Sequence, residues 1–112
     1  MRTRYDLHEF LTNLPGCRAV YFQPPESIKM EYPCIVYSRD SVNHRFASNS
    51  GYSFATRYQI TFIGYDPDLD LETFKAMTDL PMCTYDRHYV YDTLHHDVFD
   101  LYLPLVFEGD FY

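Results

Sequence analysis

A chain of 112 residues is expected to form one domain, residues 1–112, too small to hold a catalytic domain beside a binding one. Its formal charge of −7, with only nine Lys and Arg, argues against a surface that reads nucleic acid, because phosphate contacts need clustered cations. Twelve Tyr and nine Phe, with no Trp, supply the apolar area of a core. Tyr in that number also suits half-buried sheets and wet subunit contacts, since the ring is buried while the hydroxyl stays hydrated.

In chain order, Thr3-x-x-Asp6 reads as a capping box, and Leu7, Phe10, Leu11 and Leu14 follow at the spacing of one helical face. Pro15-Gly16 ends that helix. Arg18–Phe22 is strand-prone, and Gln23-Pro24-Pro25 cannot continue a ladder because proline has no N–H to donate. Tyr32-Pro33 opens a strand over Cys34–Tyr37. From Arg39 to Gly51 the composition turns to Ser, Asn, Asp, His and Arg without periodicity, which predicts a long loop. Within it Arg39, His44 and Arg45 surround an isolated Phe46, a mixture suited to an interface in which a ring anchors and guanidinium groups meet carboxylates.

Alternation returns at Arg57–Tyr65, with Tyr58, Ile60 and Phe62 on one face and Arg57, Gln59 and Thr61 on the other. Asp66-Pro67 reads as an N-cap and first-turn proline, and Leu71, Phe74, Met77 and Leu80 recur along one side before Pro81. Two further strands are predicted near His88–Tyr91 and Val98–Leu103. The order αβββαββ, with too few helices to cover both faces of a sheet, predicts an α+β domain with a largely antiparallel sheet of about five strands.

Candidate chemistry weakens when its geometry is checked. Asp66-x-Asp68-x-Asp70 begins like a calcium loop, but Leu71 stands where the loop needs glycine and Met77 where it needs glutamate. These carboxylates, with Glu72, instead complement the positive end of the second helix. His95-His96-Asp97 suggests a metal site, yet adjacent strand residues face opposite ways, so the two imidazoles do not share an ion. A nucleophilic pair of Cys34 or Cys83 with His88 is the remaining enzymatic arrangement, and both cysteines sit in apolar or strand-like contexts typical of inert thiols. No catalytic, cofactor or metal site is therefore assigned, and the expectation is a protein that is not an enzyme.

Cys17, Cys34 and Cys83 are odd in number and contain no C-x-x-C pair, so free thiols in a reducing compartment are expected. The charged N-terminus lacks the apolar stretch of a signal peptide, and no segment approaches the length needed to span a bilayer, which predicts a chain kept soluble in the cytoplasm. Charge is unevenly divided. Residues 1–65 carry seven basic and five acidic groups, a net of +2, whereas residues 66–112 carry two and eleven, a net of −9. One subunit's basic side could meet a neighbour's acidic side, although a solvated acidic face accounts for the same division.

Tyr21-Phe22-Gln23-Pro24-Pro25, Met30-Glu31-Tyr32-Pro33-Cys34-Ile35-Val36-Tyr37, Tyr52, and the strand ending Tyr65-Asp66-Pro67-Asp68 together resemble the small neck proteins of tailed bacteriophages. The stretch Asp86–Phe99 is similar to the C-terminal signature of that tail-terminator and tail-completion family. The resemblance implies a structural subunit of a hexameric ring that caps the tail tube, contacts the tail tube protein and the head-tail connector or stopper protein, and lets DNA pass through its lumen without sequence-specific binding. It also implies residence in the virion neck, with assembly in the host cytoplasm and no membrane partner. A head-completion stopper on the portal side is the alternative within the same class, and a small cytoplasmic enzyme or ligand-binding domain the alternative outside it.

Overall fold

Seven elements follow one another in the computed structural model, which describes residues 3–46 and 52–107: α1 (Arg4–Thr12), β1 (Ala19–Phe22), β2 (Cys34–Phe46), β3 (Tyr52–Gly64), α2 (Leu71–Thr78), β4 (Cys83–Tyr91) and β5 (Leu94–Phe107). The strands form one sheet in the order β1-β2-β3-β5-β4. β1 runs parallel to β2, and the other neighbours pair antiparallel. The expected α+β class, order αβββαββ and largely antiparallel sheet are thus the observed ones.

The capping box at the start of α1 is formed: Asp6 N donates to Thr3 Oγ1 at 3.2 Å, and Thr3 N donates to Asp6 Oδ2 at 3.1 Å. These bonds satisfy amide groups that the helix cannot pair internally. The helix then buries Leu7 and Leu11 completely against the sheet, with Leu14 just beyond its C-terminus. Tyr37 of β2 is also fully buried, and its hydroxyl lies 2.7 Å from His8 Nδ1 and accepts from Arg4 Nη1 at 3.4 Å. A buried phenol needs such partners, and here they fix α1 to the sheet.

Alternation along β3 is as the sequence predicts, with Tyr58, Ile60 and Phe62 buried under the helices. Across the ladder they face Arg39, Tyr37 and Ile35 on β2 and Leu101, Phe99 and Asp97 on β5, so one sheet face carries the core. Met77 of α2 completes it, and Phe99 meets Phe62 and Phe74 edge-on at centroid separations of 5.5 and 5.8 Å. Each fully buried Leu, Ile, Met or Phe of this set contributes about 1.5–3 kcal/mol. On the opposite face a smaller cluster of Cys34, Ile63 and Leu94 is covered in part by Met30 and Tyr32, from the connection between β1 and β2.

Two expectations are corrected. The segment from Arg39 is not a loop: β2 continues to Phe46, paired residue for residue with β3 from Arg39↔Tyr58 to Phe46↔Tyr52 apart from one irregularity at Asp40. Ladder pairing satisfies the backbone whatever the side chains are, and the only sequence trace of this half of the strand is a short alternation, Val42, His44 and Phe46 against Ser41, Asn43 and Arg45, that the polar composition outweighs. Residues 47–51 of the expected loop lie outside the described residues. The second helix also starts later than Asp66-Pro67. Its N-cap is Asp70, whose carboxylate accepts from Thr73 N at 3.3 Å, whereas Asp66 turns its carboxylate onto Asp68 N at 3.0 Å. With that start Leu71 stands in the first turn and is 79% exposed, and the face against the sheet is Thr73 and Met77, flanked by Phe74 and Leu80.

The central strands β2, β3 and β5 run 13, 13 and 14 residues, against four in β1 and nine in β4. Residues 41–46, 52–56 and 103–107 therefore continue as a three-stranded arm past the outer strands. The radius of gyration, 15.6 Å, exceeds the roughly 13 Å of a compact domain of this length, as a projecting arm requires.

Candidate functional site

Among the described residues, the richest arrangement of polar side chains arises from the hairpin of β4 and β5. Only Asp92 and Thr93 separate the strands, both with positive φ (52° and 62°), the geometry of a tight two-residue turn whose twist matches its strands. Counting from that turn, Val90 lies opposite His95, Tyr89 opposite His96 and His88 opposite Asp97. His95 and His96 point to opposite faces, as alternation demands.

On the helix-bearing face His88 Nε2 lies 3.1 Å from His95 Nδ1, with the ring planes 20° apart and the centroids 5.3 Å apart. A ring nitrogen sits one ring radius from its centroid, so the centroid separation is nearly the N···N distance plus two radii. The imidazoles therefore meet nitrogen to nitrogen, not face to face. Beside them Asp97 is 9% exposed and accepts from Tyr85 Oη at 2.9 Å. On the other face His96 stacks on Tyr89 at 4.5 Å and 12°, with its Nδ1 3.1 Å from the Leu94 carbonyl oxygen. The Arg87 guanidinium approaches the same Tyr89 ring at 5.6 Å.

His95 and Asp97 also line a cleft of about 230 Å³ whose rim includes Asp66, Asp68 and Asp70. The calcium-like triplet is thus near a concavity, but Asp66 and Asp70 are occupied by the turn and the cap described above. Cys17 and Cys34 share the lining. Burial pushes both thiols up, Cys34 to about 12, and pushes Cys83 up to about 11. A thiol held neutral is a poor nucleophile. Cys34 belongs to the apolar cluster on the face opposite the helices, and Cys83 lies opposite Leu101 at the far end of β4 from His88, which is engaged with His95, so the structure does not bring together the Cys/His pairs weighed above.

A third polar group stands at the base of the arm. Arg57 Nη1 lies 3.0 Å from Asp40 Oδ2 and its Nη2 lies 3.1 Å from Asp100 Oδ2. The ladder irregularity between Arg39 and Ser41 places Asp40 for this contact. Arg57 Nε and Asp100 Oδ1 are buried without a hydrogen-bond partner among the described residues. Of the predicted interface residues, Arg39 is exposed where the arm begins, and its backbone N–H donates to Gln23 Oε1 at 3.1 Å. His44, Arg45 and Phe46 lie along β2 in the arm, opposite Phe54, Ser53 and Tyr52, and their side chains lie outside the described residues.

The sequence reading missed His88–His95, Tyr85–Asp97 and Arg57 between two aspartates, because each pair joins different strands. Only the first had a usable signal: once Asp92-Thr93 is taken as a two-residue turn, counting outward sets the register of the two histidines. Comparison of the chain with protein-family models, characterised proteins and solved structures gave no match.

Proposed function

We propose that this chain is a structural subunit of a tailed-phage neck, six copies of which form a ring that caps the tail tube and joins it to the head-side connector. The observation that carries the reading is the arm: β2, β3 and β5 stay paired with one another past the ends of the outer strands β1 and β4, with Thr56 and Leu103 buried at its base. A projecting arm suits reach toward a neighbouring ring or the tail tube better than it suits a monomer. The two sheet edges are also unlike, a four-residue parallel strand β1 on one side and a nine-residue, solvent-exposed β4 on the other. Rings are closed by heterologous contacts, which need two different patches on each subunit. The quoted residue runs that resemble neck proteins supply the biological setting.

The test is a reconstruction of the virion neck from the phage that encodes this chain. The chain is expected in the layer between tail tube and connector with six-fold symmetry. Density for it at another symmetry, or elsewhere in the particle, refutes the proposal.

A further inference from the structure

We propose that His88 and His95 form a two-imidazole chelate for a borderline divalent metal ion, of the Zn²⁺, Ni²⁺ or Cu²⁺ class, at the outer edge of the sheet. Neutral imidazole suits these ions, and their bonds to nitrogen, about 2.0–2.1 Å, set neighbouring donors roughly 2.9–3.4 Å apart in octahedral to tetrahedral shells. His88 Nε2 and His95 Nδ1 stand 3.1 Å apart, within that bite. In this contact one of the two nitrogens donates its N–H to the other's lone pair; metal binding requires that ring to take its other tautomer, its proton moving to the remote ring nitrogen, so that both facing nitrogens offer lone pairs once the rings tilt to aim at one point. His88 is exposed on an edge strand and has the freedom to tilt, while His95, half-buried at the cleft, is the fixed donor.

The surroundings favour a cation. Asp97 lies opposite His88 in the ladder, and Asp66, Asp68 and Asp70 rim the same cleft as His95. No group of three or more metal-donor side chains occurs among the described residues, so two imidazoles complete the protein's share. Water or a donor from another molecule fills the remaining positions. The chelate differs from the sequence-adjacent pair His95 and His96, whose second member faces the other side of the sheet against Tyr89.

The experiment uses the full chain without an affinity tag. Ni²⁺ and Zn²⁺ are titrated calorimetrically, and Cu²⁺ is followed by electron paramagnetic resonance, which reports the number of bound nitrogens. One ion per chain with two nitrogens is expected. His88→Gln and His95→Gln, each checked for an unchanged circular dichroism spectrum, are expected to weaken binding roughly 100-fold, because each converts a chelate into a single contact. His96→Gln and His8→Gln are expected to bind like the parent. Free metal at about 100 times its dissociation constant is expected to raise the folded-to-unfolded ratio about 100-fold in the parent and not in the His88→Gln/His95→Gln variant. Parent-like affinity in either single variant, or a comparable loss in His96→Gln, overturns the site. Should a glutamine variant misfold, the spectrum of the parent decides: copper bound by one nitrogen or none refutes the chelate.

Discussion

Cys34 packs against Ile63 and Leu94 on the sheet face opposite the helices, and Cys83 opens β4 beside the main core. Burial raises their thiols from the ordinary 9.0 to about 12 and about 11, the nearby Asp100 carboxylate adding to the effect at Cys83. Well below pH 9 both are neutral in the folded and the unfolded chain, so they add no pH dependence there. As pH rises above 9 the unfolded chain loses these protons while the folded one keeps them, and linkage then removes stability progressively up to pH 11–12. Denaturant midpoints measured from pH 8 upward should fall, and Cys34→Ala/Cys83→Ala should flatten that slope relative to the parent. A second prediction concerns Asp97, whose buried carboxylate accepts from Tyr85. Tyr85→Phe removes the donor and keeps the ring that packs on Phe74 and Phe99. It should cost about 1–3 kcal/mol in urea unfolding, the usual cost of leaving a buried polar group unpaired.

Among the elements, legibility in the sequence followed burial. α1 and the inner part of β3 were readable because one side of each is fully apolar, Leu7 and Leu11 in the helix and Tyr58, Ile60 and Phe62 in the strand. The far half of β2 was not, since Ser41-Val42-Asn43-His44-Arg45-Phe46 is held by ladder pairing and its two apolar residues, Val42 and Phe46, are too few among polar ones to stand out as an alternating strand. The start of α2 was misread because Asp66 and Asp70 both look like caps, and only the fold decides which one the chain uses. The β4–β5 register stayed hidden for a related reason: Asp92-Thr93 occupies a turn in which Asn-Gly is the recognisable pair. Thr93 at φ 62° is a β-branched residue in a left-handed conformation that costs roughly 1–2 kcal/mol, of which glycine loses about 0.5–1 kcal/mol again through its greater backbone freedom. Thr93→Gly should therefore raise stability by up to about 1 kcal/mol, and a fall in the urea midpoint would show that this turn is not strained. The arm has its own test. If the chain serves in a phage neck as proposed, replacing Arg39, Arg45 and Phe46 together with Ser should leave the melting temperature close to the parent's while lowering the yield of infectious particles. Normal yield from a normally folded variant would remove the arm from assembly.

At the scale of the whole molecule, the proposed ring role and its nearest alternative predict different failures. A terminator acts on the tube: it binds the growing end when the tail has reached its length, and growth stops because the end is covered. A stopper acts on the head, where it holds packaged DNA behind the connector. The arm is compatible with either role, since a ladder of β2, β3 and β5 continuing past the outer strands can reach a tube or a connector alike. Charge favours neither, because the acidic groups that give residues 66–112 their net −9 lie on elements as different as the α2 cap, the β4–β5 turn and the open sheet face. Loss of the protein separates the two. If the chain caps the tube, cells infected with a phage lacking it should accumulate DNA-filled heads beside tails that are overlong or unjoined, because capsids seal independently while tube polymerisation has lost its stop. Emptied heads beside tails of normal length would locate the defect at the connector and assign the ring to the portal side. Electron microscopy of the lysate distinguishes these outcomes without purification, and supplying the parent chain from a plasmid should restore normal tail length if the first outcome is due to its loss.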